Sequence, residues 1–400
     1  MAQEKQATLF GRERHGMKFK DFLKSISILC ISLHLQADFD KKDVFVEWDS
    51  GRLQQLDENV SVFSKSAKEP TFLTIDISKK NLNLKEDNIL FNLMVDDIRN
   101  LDGLEIRLME SRKSNDYLAF NIPIFFDYEF NLLQSSTRTK IALSGANLTA
   151  VGKPLKKINY VTFYFSAKKP ETRFTLWSVD TTKKKSKGVL SLTFDDGPQD
   201  NLLAAKILKK YNIPATAYIM PNSLNTKGFL TTSELKFLSK QNWDIDSHHE
   251  IPFTHFNQKV LRREIDEIHS FLKKNKYKSS NYHLAYPLGK TNSSAVSVVS
   301  SKFATARLAS GGIETIPPAD LYKLRAFNVL KTTTPKELKE IIQRTRENNQ
   351  WLILMFHHIK ESATDEIDYS TSNFRELAKI ISSSNIEILT MNQVWEKYLK

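Results

Sequence analysis

The string LTFDDGPQDN, residues 192–201, places two adjacent carboxylates, Asp195 and Asp196, directly after an apolar run. Val189, Leu190, Leu192 and Phe194 read as a buried strand, and Gly197 and Pro198 stop it. Two like charges at one strand end repel, unless a cation lies between them or one carboxyl keeps its proton. Either arrangement points to chemistry: a carboxylate that holds a divalent ion, or one that moves a proton. A solvated turn has the same composition, so the pair needs company before it counts as a site.

Histidine supplies that company. The chain holds nine, and five fall in two strings: SHHEIPFTH, with His248, His249 and His255, and FHHI, with His357 and His358. One carboxylate and two neutral imidazoles make a three-ligand set for zinc or a similar divalent ion, with a position open for water or substrate. A second carboxylate beside the ion can accept a proton from that water, and a histidine on another strand can protonate a leaving group. The reaction class is metal-assisted hydrolysis of an amide or ester.

These residues need elements that bring them together. From Gly188 onward strand-like runs alternate with helical stretches: VLSLTF, ATAYIM, WDIDS, YHLAYP, FATARLA, LRAFNVL, WLILMF and IEILT. Thr334, Pro335 and Glu337 open one of the helices with an N-cap, a first-position proline and a capping-box glutamate. Alternation of this kind predicts a parallel sheet, open or closed into a barrel, with its chemistry at the C-terminal strand ends. The aspartate pair ends the first strand, SHHEIPFTH the third, YPLG the fourth and FHHI the seventh.

Residues 38–180 have a different rhythm. DVFVEWDS, PTFLTIDIS, NILFNLMVDD, GLEIRLMES, DYLAFNIPI, TKIALSG, NYVTFYFSA and TRFTLWSVD are short runs rich in Val, Ile, Phe, Tyr and Thr, separated by polar loops. They predict an all-β sandwich of about eight strands, jelly-roll-like. Polar residues 181–188 read as a linker to an α/β domain over 189–400. A length of 400 residues fits this multidomain division. Aromatics of the first half, Trp48, Tyr117, Phe125, Phe126, Tyr128 and Trp177, are candidates for stacking on sugar rings in a carbohydrate-binding module.

The net charge of +12 favours anionic surroundings. The lysines are scattered and no zinc-finger or RNP-type motif accompanies them, which argues against nucleic acid. Residues 1–37 read as a leader. MKFKDFLKSISILCISLHLQA, starting at Met17, has basic residues, a short apolar run and an L-x-A ending, as a secretory signal peptide does, and Met17 is a candidate true start. The run is too short to span a bilayer. An exported protein with no integral membrane span in its mature chain follows: secreted, periplasmic or at the cell surface. Cleavage after Ala37 removes Cys30, the sole cysteine, and with it disulfides, thiolate metal sites and a cysteine nucleophile.

TFDDGP resembles the first motif of the polysaccharide deacetylases, the NodB-homology family of carbohydrate esterases. SHHEIPFTH stands where that family has its His-rich second motif, YPLG is similar to the third and LILMFHHI to the last, in the same order. The resemblance covers residues 188–400. It implies a distorted (β/α) barrel and a metal-dependent deacetylase, with a divalent ion, foremost zinc, as cofactor and a polysaccharide as substrate. By the same resemblance Asp195 is the catalytic base, Asp196 and His248 are metal ligands and His357 is the catalytic acid. Pro287, Leu288 and Gly289 shape the groove, and the Leu288 N–H helps to hold the oxyanion.

Two departures stand out. The family spaces its histidine ligands four or five apart, whereas Pro252 and Phe253 occupy those places after His248 and His249. His255 is the expected third ligand, reached by a bend at Pro252, with His249 or Glu250 as substitutes. Ala285 stands where many members carry an arginine that pairs with the base, and Arg325 is the expected replacement. The leading function is removal of acetyl groups from an N-acetylated polysaccharide: peptidoglycan, a chitin-like chain or poly-N-acetylglucosamine. The alternatives are an O-acetyl esterase on polysaccharide and a non-catalytic glycan-binding protein with a degraded site.

Overall fold

The computed structural model describes residues 40–400 apart from 68, 186, 276 and 278–281. The expected leader, with Met17 and Cys30, lies outside the described residues. Among them no helix is long and apolar enough to cross a membrane.

The first half is two antiparallel sheets. One runs, in spatial order, Val44–Val46, Thr71–Asp76, Tyr160–Ala167, Leu101–Met109, Tyr117–Ile122 and Thr149–Val151. The other runs Gly51–Gln55, Val60–Ser64, Arg173–Lys183, Asp87–Val95 and Thr139–Leu143. Alternate residues face inward, as the period of two demands. Phe163 of the first sheet meets Phe91 and Phe174 of the second, with ring centroids 5.5 and 5.0 Å apart. This is the expected sandwich, with eleven strands among the described residues rather than eight. The additional three are Gly51–Gln55, Val60–Ser64 and Thr149–Val151. The last sandwich strand also runs on through Lys183, so the first three residues of the expected linker are ladder instead of loop.

The second half is a closed barrel. Seven parallel strands pair in turn: Val189–Phe194, Ala215–Ile219, Trp243–Ser247, His283–Ala285, Thr305–Gly311, Leu324–Asn328 and Trp351–Phe356. The first pairs with both the second and the seventh, which closes the ring. The eighth expected strand is short, Glu387–Ile388, and pairs outside the ring with the first. Each strand's outward residues (Leu192, Phe194, Ala217 and Ile245, for example) pack under the surrounding helices. Val189, Tyr218, Ala285, Ile353 and Met355 fill the interior. The helix Pro335–Glu347 begins as expected: Thr334 accepts from the Glu337 N–H, with Pro335 at the first position.

Candidate active site

Register places the chemistry. Phe194 pairs with Phe356, so Asp195 and His357 each sit one residue past the end of neighbouring strands. The Asp195 N–H donates to the Phe356 carbonyl at 2.9 Å and prolongs that pairing to the barrel mouth. Ala285 pairs with Arg307, which brings the fifth strand level with the fourth. Ala306 and Leu308 belong to the shell under the helices, so Arg307 between them points into the barrel.

Asp195 and Arg307 are both buried and form an ion pair. The Arg307 guanidinium also lies 4.7 Å from the ring centroid of Tyr218. A buried carboxylate requires such a partner to stay ionised. The arginine missing at Ala285 is thus supplied by Arg307, one strand over. Arg325 does not serve, which corrects the expectation above. Its Nη2 lies 2.6 Å from Glu314 Oε1 and also donates to the Ala142 carbonyl at 2.8 Å, so its fork is occupied away from the site. Arg307 was legible in principle: a lone arginine inside the apolar run FATARLA must be buried and therefore paired.

Asp196 turns the other way. It takes a left-handed conformation, φ 67°, which costs an aspartate conformational energy and suits a functional turn. Its Oδ1 lies 3.3 Å from His248 Nε2. His248 Nδ1 makes a 2.8 Å hydrogen bond with the Ala285 carbonyl, donating to it, which leaves the Nε2 lone pair aimed at the carboxylate. Two lone pairs at that separation call for a cation or a proton between them. Burial opposes a charge on His248, but the bond to Asp196 and the charges of both aspartates outweigh it and raise its pKa. Burial likewise opposes ionisation of Asp196, and His248 beside it prevails and lowers its pKa. A backbone carbonyl on one imidazole nitrogen and a carboxylate facing the other is also the arrangement of a metal-ligating histidine. Asp196 and His248 therefore fit two positions of a divalent-ion site.

The third position is not filled as expected. Pro252 does start a turn, Phe253–His255, but it ends with His255 exposed, on the side of Asp127, whose pKa is lowered chiefly by Lys290 and to a lesser degree by His255. His249 is buried toward Glu264 and Glu250, at 3.6 and 3.8 Å, with its Nδ1 accepting from the Ile251 N–H. Adjacent histidines leave an extended segment on opposite sides, so His249 faces away from His248's partner. Among the described residues no three His, Cys, Asp or Glu side chains gather as a metal site.

His357 lies within electrostatic reach of Asp195, Asp196, Arg307 and His248. Burial pushes its pKa down, against the pull of the two aspartates. Its Nδ1 is buried with no hydrogen-bond partner among the described residues. Asn201 donates to its carbonyl at 3.1 Å. Its neighbour His358 is bonded through Nδ1 to Asp200 at 2.7 Å, and Asp200 also accepts from the Ile359 N–H. These contacts fix the loop that carries His357. Pro287–Gly289 forms the turn after the fourth strand, with Leu288 left-handed at φ 55° and its side chain exposed.

Residues 182–305 match the family described as Polysaccharide deacetylase. The chain is 32% identical over 123 residues to the poly-β-1,6-N-acetyl-D-glucosamine N-deacetylase of Staphylococcus epidermidis, covering 25% of this chain and 40% of that protein. It is 30% identical over 113 residues to YxkH of Bacillus subtilis, covering 28% of this chain and again 40% of the relative. The chain thus spans less than half the length of the curated relatives it matches. Among solved structures, the Streptococcus pyogenes deacetylase PplD in complex with acetate overlays with a TM-score of 0.36 at 22% identity, over 38% of this chain and 69% of that one. A family 4 acetyl xylan esterase from Clostridium thermocellum in complex with a cobalt ion overlays with a TM-score of 0.35 at 18% identity, over 52% and 90%. The segment that matches the polysaccharide deacetylase family carries Asp195, Asp196 and His248, while Arg307 and His357 lie beyond it.

Proposed function

We propose that the protein is an exported, metal-dependent deacetylase of an N-acetylated polysaccharide. The observation that carries this reading is the convergence of Asp195–Arg307, Asp196–His248 and His357 at one mouth of the barrel, within and beside the family-matched segment. Asp196 and His248 would hold a divalent ion, foremost zinc; once bound, such an ion polarises an acetyl carbonyl and acidifies water. Asp195, paired with Arg307, would take the proton of the attacking water. His357 would deliver a proton to the departing amine; its depressed basicity makes it a strong acid once protonated. The Leu288 N–H would donate to the oxyanion, with Pro287 and Gly289 setting the turn that presents it.

A polymer of N-acetylglucosamine is the substrate class this reading favours, in keeping with the named activity of the Staphylococcus epidermidis relative. The test is acetate release from N-acetylglucosamine oligomers and, in parallel, from O-acetylated xylan, with and without a chelator. Release from the oligomers that stops on chelation is expected. Release from xylan alone would move the activity to O-acetyl esters. No release from either, at any divalent metal supplied, would overturn the enzymatic reading.

A further inference from the structure

Lys323 and Arg325 flank Leu324, which belongs to the barrel interior, so both side chains leave the start of the sixth strand on its outer side. That side meets the sandwich: Arg325 Nη2 donates to the Ala142 carbonyl at 2.8 Å. Glu314 neutralises Arg325. Its Oε1 accepts from Arg325 Nη2 at 2.6 Å and from the Thr315 N–H at 2.8 Å. Its Oε2 accepts from the Arg325 backbone N–H at 3.0 Å and from Nε at 3.3 Å. The carboxylate is thereby saturated. Arg325 Nη1 is left over, buried and without a hydrogen-bond partner among the described residues. Lys323 is only 6% exposed, and among the described residues its ammonium has neither an ion pair nor a hydrogen bond. Burial pushes its pKa down, and the more distant charge of Asp320 does not outweigh that. Both residues line a cavity of about 10 Å³ between barrel and sandwich, which Ala142 also lines. The charged lining is Lys140, Lys323 and Arg325 against Glu314 and Asp320, one positive charge in excess. A buried cation without a counter-charge is costly.

We propose that this cavity binds a monatomic anion, chloride in ordinary salt solutions, held by Lys323 Nζ and Arg325 Nη1. Two cationic donors at one cavity repel each other and leave their N–H groups unmet. A halide accepts from both and cancels the excess charge. Water would accept the same hydrogen bonds but brings no charge to offset that of the lysine. Size agrees, since a space of this volume admits a single small occupant. The sandwich supplies one wall, so the ion would tie the two halves together. Neither Lys323 nor Arg325 takes part in the deacetylase reading, and the two stand or fall separately.

The measurement is thermal melting of the full chain in sodium gluconate, with part of the gluconate replaced by chloride or bromide at constant ionic strength, so that screening does not change. Either halide should raise the parent's Tm by about 2 °C and the rise should saturate with halide concentration. Lys323→Met keeps the apolar stem and loses the charge, and in it the halide effect should vanish. In Lys209→Met, which changes an exposed lysine, the effect should persist. Equal parent Tm values with and without halide, or a halide effect that survives in Lys323→Met, would overturn the site. Crystals of the parent grown in bromide give an answer even where Lys323→Met does not fold. An anomalous peak between the Lys323 and Arg325 side chains is expected. Bromide at surface lysines alone, an adventitious ion only, or a water molecule in the cavity would equally overturn the site.

Discussion

At the scale of single residues, the adjacent aspartates escape mutual repulsion by taking different partners, Arg307 for Asp195 and His248 for Asp196. They should therefore fail differently. On the proposed reading, Asp195→Asn should keep any bound metal but cannot accept a proton, and turnover should fall by roughly 10²-fold or more. Asp196→Asn should instead lose metal affinity, with partial rescue by excess metal. Bound metal and acetate release, measured side by side, separate the two; near-normal values for both would return the pair to an ordinary turn. Arg307 carries a second expectation. Arg307→Met strands a buried carboxylate, and urea denaturation should show a loss of about 3–5 kcal/mol. A loss below about 1 kcal/mol would mean that water reaches Asp195 and replaces the guanidinium.

At the scale of elements, the turn after the fourth barrel strand is, like that after the first, held in left-handed backbone. Gly289 has φ 69°, and a Cβ there would lie 2.6 Å from the Ala309 Cβ. Gly289→Ala should cost about 1–3 kcal/mol and lower activity as well, because the same turn follows the carbonyl that orients His248. By contrast, Thr334→Ala removes the cap of a helix that carries none of the site residues and should cost about 1 kcal/mol with turnover unchanged. Thermal denaturation with an activity assay on both variants checks the contrast. The barrel strands were legible because most are short runs dominated by apolar residues and set between polar, helix-forming stretches. Gly51–Gln55 was not, because its sequence GRLQQ is mostly exposed and carries no alternation. Pairing with Val60–Ser64 makes it a strand, and pairing is not a local property.

At the scale of the whole molecule, the two halves have separate sheets but share an interface. Arg325 donates to the Ala142 carbonyl, Gln350 accepts from the Ala146 N–H at 2.9 Å, and Arg344 donates to the Leu148 carbonyl at 2.9 Å. Ala146 itself sits in the barrel's apolar shell. Residues 38–182 expressed alone should still form a β-sheet protein, since every sandwich strand finds its partner within the sandwich. The full chain should nevertheless melt in one calorimetric transition, and two well-separated transitions would contradict the interface. Lys184 adds a pH signature. Its ammonium donates to the carbonyls of Leu84 and Asn348, and burial pushes its pKa down to about 8 from 10.5. Between those values the unfolded chain binds the additional proton, so this lysine's contribution to stability rises with pH and is lost as pH falls toward 8. Urea midpoints at pH 8 and pH 10 should therefore converge in Lys184→Met relative to the parent. An unchanged difference would mean that Lys184 stays solvated.

The sequence by itself determined the two rhythms, the strand ends and the residue types gathered there. Periodicity and chain-stopping residues are local, and both act on neighbours within a few positions. Asp195, Asp196, His248 and His357 fell at C-terminal strand ends for that reason. Which charge neutralises which was decided only by the closed barrel. Its register sets Arg307 level with Ala285 and in reach of Asp195, and leaves Arg325 to Glu314. The fate of His255 was equally non-local. A bend at Pro252 is written in the chain, but its direction is set by packing: Phe253 is buried, and His255 is turned out toward Asp127 of the sandwich. Electrostatic partners are chosen by distance in space, and spacing along the chain constrains that distance only within a single element.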